Sequence, residues 1–291
     1  MSVRLARVAA FLALMVLLPG CTLIRVTYNN AEPLVRYTAH DYFDLDEGQT
    51  GQFRKRLQQF HDWHRSTELP LYAGLLRAAV QRGAHAVSRE DVTWAAQAVR
   101  ERYAALITKA IGDAAPILAT LTPAQIAELE KRLAKANAKY AKEYLTDDAE
   151  ARHRAQFKRT LGRFSDWTGG LSDQQEARIE RFVKAHAKTT AMRFDNRARW
   201  QSEAVSLIRR HRSPGALAPP LTDLFVRPAA HRTPELNAAL ARWEADFTDL
   251  IVDLDRTLSA EQRAYAVRRI ERFAEDFEVL SAQGAVAVAA N

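Results

Sequence analysis

Apolar positions recur along this chain with the spacing of a helix face. Phe53, Leu57 and Phe60 stand at i, i+4 and i+7, with Trp63 or His64 one turn on. That stripe predicts a core-facing helix and favours a packing seam over an aromatic ligand box. The stretch Gln52–Trp63 returns at Gln156–Trp167, identical at Gln, Phe, Leu, Phe, Asp and Trp, at an offset of 104 residues. The pattern predicts an all-α protein, an elongated multi-helix bundle built from two related helical halves, 45–145 and 146–282.

Capping residues and breakers divide the halves into helices. A first helix capped by Asp46 runs to about Arg65 and is broken at Leu69-Pro70-Leu71-Tyr72; a second follows over Leu71–Arg82. Ser88 caps a third, with Val92, Val99, Tyr103 and Leu106 on its apolar stripe and Pro116 ending it. Thr122, with Pro123 at the first helical position, opens a fourth that runs to about Tyr144. The second half starts near Thr146 and stops sharply at Trp167-Thr168-Gly169-Gly170. Ser172 then caps a helix with no breaker from Asp173 to Arg212, with Thr189–Asn196 the place for a kink. Residues 213–234, with six prolines or glycines among them, read as a long loop. Helical signals resume over Pro234–Asp255 and Leu258–Leu280, and 283–291 form a tail.

Four helices open alike, at Leu45-Asp-Glu-Gly-Gln49, Leu121-Thr-Pro-Ala-Gln125, Leu171-Ser-Asp-Gln-Gln175 and Leu258-Ser-Ala-Glu-Gln262. A side-chain oxygen at the N-cap and a glutamine three residues later make a capping box, in which each satisfies an amide the other leaves free. These pentads resemble the Leu-Thr-x-x-Gln motifs of the Spy and CpxP family of periplasmic helical chaperones, and helix capping alone would produce the same pattern.

The first twenty residues belong outside the fold. Arg4 and Arg7 precede an apolar run, Val8–Leu18, of eleven residues, too short for the ~20 that span a bilayer. It closes on Leu18-Pro19-Gly20-Cys21, which resembles a bacterial lipobox, although Pro19 departs from its usual small or hydroxyl residue. Residues 1–20 are thus read as a lipoprotein signal peptide. Cys21, the single cysteine, stands where a thiol would accept diacylglycerol, with acyl chains such as palmitate. Residues 21–44 then form a lipidated, aromatic-rich linker segment. Thr22 is not the aspartate associated with inner-membrane retention, which favours an outer-membrane, periplasm-facing location.

The chain carries 42 Lys and Arg against 35 Asp and Glu, a net charge of +7. In a cytosolic protein such a balance would invite a nucleic-acid reading; the export signal argues against that partner. Anionic envelope polymers and lipids remain, and Arg193, Arg197, Arg199 and Trp200 form a candidate surface for an anionic partner, weighed against charges that simply solvate long helices.

Catalytic and metal signatures are weak. His61 and His64 share a helix face and could hold a metal, but no third ligand lies nearby in sequence, and no metal or cofactor is expected. Neither a Gly-x-Ser-x-Gly elbow, a phosphate loop nor a dinucleotide fingerprint occurs. Together the lipobox, Tyr28-Asn29-Asn30-Ala31, Asp41-Tyr42-Phe43-Asp44-Leu45-Asp46, Trp63-His64-Arg65 and Leu69-Pro70-Leu71-Tyr72 resemble an uncharacterised family of proteobacterial lipoproteins, a domain of unknown function. That resemblance implies a helical fold and an envelope location, and carries no activity. The expectation is a non-enzymatic binding or scaffolding module; a chaperone-like role is the alternative.

Overall fold

The computed structural model describes the backbone of residues 21–289 and the side chains of residues 24–283. The expected signal peptide and the Cys21 thiol lie outside those described residues. The described chain is an all-α, multi-helix bundle.

The helices are α1 (Cys21–Asn29), α2 (Ala31–Phe43), α3 (Glu47–Trp63), α4 (Leu69–Arg82), α5 (Arg89–Leu118), α6 (Pro123–Tyr144), α7 (Ala149–Thr168), α8 (Asp173–Ala185), α9 (Thr189–Arg210), α10 (Pro214–Val226), α11 (Pro234–Thr257) and α12 (Ala260–Ala289). Asp46, Ser88, Thr122 and Ser172 each cap their helix through a reciprocal capping box, as their spacing predicts. Gly169 terminates α7 at φ 86°, a region open to glycine and hostile to a side chain.

Residues 21–44, expected as a linker, fold as α1 and α2; Pro116 lies inside α5, which runs on to Leu118; and α12 continues to Ala289 through most of the expected 283–291 tail. Three further sequence-based boundaries need correction. Pro70 does not break the first helix. Residues His64–Glu68 widen into a π turn in which the Leu69 amide reaches back to the His64 carbonyl, and α4 continues directly. Widening relieves the clash between the proline ring and the carbonyl four residues earlier, so the helix survives. Next, the long helix from Asp173 is interrupted at His186–Lys188. No breaker residue causes this; His186 turns inward, where its ring packs at a tilt on Phe182 and meets Asp246 at 3.0 Å.

The third correction concerns the proline-rich stretch, which is not a loop. Pro214 occupies the first turn of α10, and the helix carries Pro219 and Pro220 in its interior. Each internal proline costs about 3 kcal/mol. Leu217, Leu221 and Leu224, at i, i+4 and i+7, are buried to 0–4 % exposure, each worth about 1.5–3 kcal/mol. The core stripe thus offsets the local penalty.

Burial is organised around two clusters. The larger joins Ile111, Ala115 and Ile117 of α5, Ile126 and Leu129 of α6, Val205 and Ile208 of α9 and the three α10 leucines. The smaller joins Ile179 and Val183 of α8 to Leu250 and Leu254 of α11, with Phe157, Leu161 and Phe164 packed against it. Those three residues are the seam that the second copy of the repeated stretch predicts.

The four glutamine caps meet in pairs. Gln49 and Gln125 exchange side-chain amide hydrogen bonds, at 2.6 and 3.3 Å. Gln175 and Gln262 do the same at 3.1 and 3.0 Å. Each glutamine oxygen also accepts its own N-cap amide. Each amide nitrogen also donates to the partner loop: Gln125 to the Asp44 carbonyl, Gln262 to the Gly170 carbonyl, Gln49 to Thr120 and Gln175 to Thr257. All four hydrogen-bonding positions of each primary amide are thereby used.

The paired caps also define a structural correspondence. α2 packs on α3 and α6, and α3 on α5; likewise α7 packs on α8 and α12, and α8 on α11. In space, therefore, α3 corresponds to α8, whereas the repeated stretch aligns it with α7. Helices of the two sequence halves also interleave, α4 against α12, α10 against α5 and α9 against α6.

Candidate functional site

An aromatic groove opens between α6, α7, α8, α9 and α11. Tyr140 and Tyr144 of α6, one turn apart, stack at 4.4 Å, and Phe194 of α9 continues the stack at 5.7 Å from Tyr140. On α11, Trp243 and Phe247 lie face to face at 4.9 Å and 7°, with Phe182 of α8 and Phe164 of α7 closing against Phe247. These walls enclose a chamber of about 750 Å³, floored by Leu254 and Val183. A second chamber of about 850 Å³, lined by Trp94, Val99 and Leu240, lies on the other side of Trp243 and Phe247. Both are of a size and character typical of small-molecule sites.

Arg193 stands where the chambers meet and lines both. Although the residue is solvent-accessible, its guanidinium lies 4.8 Å from the Trp243 ring centre. Desolvation holds its pKa below the ordinary arginine value, and Arg232 repels it further. Half-buried Arg232, on the second chamber, is lowered by desolvation too. Neither has a carboxylate partner among the described residues. Arg159, over the Tyr144 ring at 4.6 Å, and Arg163 bring further positive charge to the first chamber. The one carboxylate on its wall, Asp255, is taken by Arg263 and the Val87 amide. The first chamber is therefore apolar in its walls with an excess of arginine; on the second, Asp91 and Glu244 are taken by Arg82 and Arg100, which leaves Arg193 and Arg232. The polar lining of the groove contains no paired carboxylates and no nucleophile beside a base.

The sequence-proposed anionic surface is divided by the fold. Arg197 joins Arg193 beside the groove, 5.6 Å from the Tyr140 ring centre and bonded to Asn137. Arg199 points elsewhere, toward Asn196 and the His231 carbonyl. Trp200 is a packing residue: it is half-buried against the main core, meets Phe225 in a tilted ring contact at 4.6 Å and donates Nε1–H to the Leu224 carbonyl. The aromatic half of the groove escaped sequence reading, because its members come from five helices up to about a hundred residues apart. Phe164 and Trp167 were visible only as repeat positions.

A second polar cluster holds α1 on the body. The Tyr28 ring stacks on His61 at 4.7 Å, and its hydroxyl lies 2.9 Å from His64 Nδ1. Burial pushes the Tyr28 hydroxyl up to about 12 and, with a smaller push from His61, takes His64 down to about 4. Arg25 meets Asp276, 1 % exposed, at 2.6 Å. His61 and His64 thus serve as an aromatic platform for α1. Among the described residues no group of three or more His, Cys, Asp or Glu is placed to hold a metal ion, and no helix is long and apolar enough to cross a membrane.

No curated protein and no solved structure matches the chain. One family model does match, over residues 41–237, from the last turn of α2 to the start of α11. It contains the α6–α9 side of the groove and stops short of Trp243 and Phe247. By that match, which covers well over half of its length, the chain belongs to the family of unknown function DUF6279.

Proposed function

We propose that this protein is an outer-membrane-anchored, periplasm-facing lipoprotein that acts as a non-enzymatic binding module of the cell envelope, with the aromatic groove as its binding site. The observation that carries this reading is the groove itself, which joins two largely apolar chambers at guanidinium groups that no carboxylate among the described residues neutralises. Arg193 is exposed and Arg232 half-buried, so both cations are open to an anionic ligand. The anchor rests on the lipobox-like Leu18–Cys21. Acyl chains on Cys21 would stabilise attachment by ~0.8 kcal/mol per buried CH₂, and α1, docked through Arg25 and Tyr28, would set the body at a fixed place relative to the bilayer.

The test is membrane fractionation of the wild type and Cys21→Ala, with crosslinking of intact cells beforehand. Outer-membrane recovery of the wild type, lost in Cys21→Ala, together with a discrete set of adducts, supports a tethered binding module. A broad mixture of unfolded exported chains captured by both forms would replace it with a chaperone role. Equal membrane recovery of both would remove the lipid anchor.

A further inference from the structure

We infer that the groove binds an acyl lipid with an anionic head, the head held by Arg193 and Arg232 and the aliphatic chain lying in the chamber between Phe164, Phe182 and Trp243. This deepens the binding-module reading and rests on it.

Three features of the site select this chemistry. First, the charge is placed and unanswered. Arg193 lines both chambers and Arg232 the second, beside it; among the described residues neither has a carboxylate partner, and guanidinium is the side chain best matched to the planar, bidentate demands of a carboxylate or phosphate. Second, the walls suit an aliphatic chain. Phe164, Trp167, Phe182, Trp243, Phe247 and Ile251 line the chamber, whereas a glycan would need a dense set of amide and carboxylate groups for its hydroxyls. Its amides and carboxylates are Gln156 and an already committed Asp255; the other polar groups include the Tyr140 and Tyr144 hydroxyls, three threonines and Arg159, Arg163 and Arg193. Third, about 750 Å³ is within the range of small-molecule sites and far below what a folded partner would occupy.

The arrangement also explains why the cations sit at the mouth rather than the floor. Arg193 lines both chambers over the Trp243 face, so a head bound there remains wet while its chain leaves water. Each methylene moved into the chamber gains roughly 0.8 kcal/mol. The anion adds charge-assisted hydrogen bonds that an alcohol head could not match.

The experiment uses the full-length lipoprotein in nanodiscs of zwitterionic lipid, and a palmitate probe bearing a diazirine near the end of its chain. After irradiation, labelled peptides are mapped by mass spectrometry, with palmitate, palmitoyl lysophosphatidate, hexadecanol and inorganic phosphate as competitors. The expected result is saturable labelling on α7, α8 and α11. Palmitate or the lysophosphatidate should displace the probe, the better of the two indicating carboxylate or phosphate preference, and hexadecanol and inorganic phosphate should fail to. Arg193→Gln with Arg232→Gln should raise the half-saturating concentration at least tenfold. Thr160→Trp, which fills the chamber from α7 and leaves both arginines in the sequence, should abolish labelling there. Circular dichroism spectra matching the wild type would show that both variants fold.

Equal competition by hexadecanol would overturn the anionic head. Unsaturable label spread over surface helices, unchanged in both variants, would overturn the lipid site altogether. If the label avoids the groove while Cys21 still directs the protein to the membrane and discrete adducts persist in cells, the ligand class fails and the binding-module reading stands.

Discussion

Replacing Gln175 with leucine tests how the bundle is tied together. Gln175 is 1 % exposed. It accepts from the Ser172 amide at 2.9 Å and from Gln262 Nε2 at 3.0 Å. It donates to Gln262 Oε1 at 3.1 Å and to the Thr257 carbonyl at 3.0 Å. Leucine would keep the volume and strand the part-buried Thr257 carbonyl, at about 1–3 kcal/mol, while the Ser172 amide, on an exposed residue, can turn to water. Gln262, half-buried, can recover part of its loss from water. The expected cost, with part of the Gln262 loss added, is therefore about 2–4 kcal/mol, a large share of the ~5–15 kcal/mol that holds a domain together. Gln262→Leu, closer to the surface, should cost about 1–2 kcal/mol by the same reasoning. In the double variant neither glutamine faces an orphaned partner, so the two losses should fall short of additivity by about 1–3 kcal/mol. The assay is urea unfolding of the four proteins followed by circular dichroism, with slopes compared to check that unfolding exposes the same surface. A Gln175→Leu protein within ~0.5 kcal/mol of wild type, or a cycle additive within that margin, would refute the claim that these caps act as paired cross-links.

Further expectations follow from the same contacts. Leu217→Ala should destabilise the protein by about 2–5 kcal/mol, since Leu217 is fully buried; a change under ~1 kcal/mol in urea unfolding would mean that α10 is peripheral. Gly169→Ala should cost about 1–3 kcal/mol, because φ 86° strains any side chain at this helix end; an unchanged melting temperature would contradict that conformation. His231, between Asp223 and Glu203 at 3.0 Å each, has its pKa raised, first by the Asp223 hydrogen bond. Its contribution is complete below pH 6.5 and lost as pH climbs through the folded-state pKa. His231→Gln should therefore lower stability at pH 5.5 and change little at pH 9; a uniform loss at both would show that charge is not the cause. His64 has the opposite sign. Burial takes its pKa to about 4, so between pH 6.5 and about 4 the unfolded or undocked chain takes up a proton that the docked form refuses. Amides of α1 should exchange faster at pH 4.5 than at pH 7, after correction for intrinsic rates, and equal protection would refute the Tyr28–His64 clamp.

Much of the local structure was legible before the fold. Asp46, Ser88, Thr122 and Ser172 announced their helices through short-range hydrogen bonds, which depend on neighbours three residues away. Gly169 marked its stop for the same reason. Failures came where a distant contact outweighed a local preference. Pro219 and Pro220 forbid helix locally, yet Leu217, Leu221 and Leu224 carry the helical stripe that the core rewards. Nothing near His186 breaks a helix; Asp246, on another helix, draws it inward. At Pro70 the chain had a third choice, a π turn, that a rule of helix-or-break omits. Sequence spacing carries only the intrahelical half of the glutamine caps' role, because the spare amide hydrogens point to partners more than seventy residues away. The arginines of α9 were visible as charge, but the aromatic walls that give Arg193 its setting assemble only in three dimensions.

The claim that the groove is the binding site can be tested most directly in living cells with a photoreactive phenylalanine analogue placed on one helix. At position 160 on α7 it would face the chamber; at Lys158, two residues away, it would face solvent. The account predicts a discrete, light-dependent adduct from position 160 and none from position 158, with the adduct lost when Arg193 and Arg232 are both glutamine. Adducts of equal strength from both positions, or from position 158 alone, would contradict it.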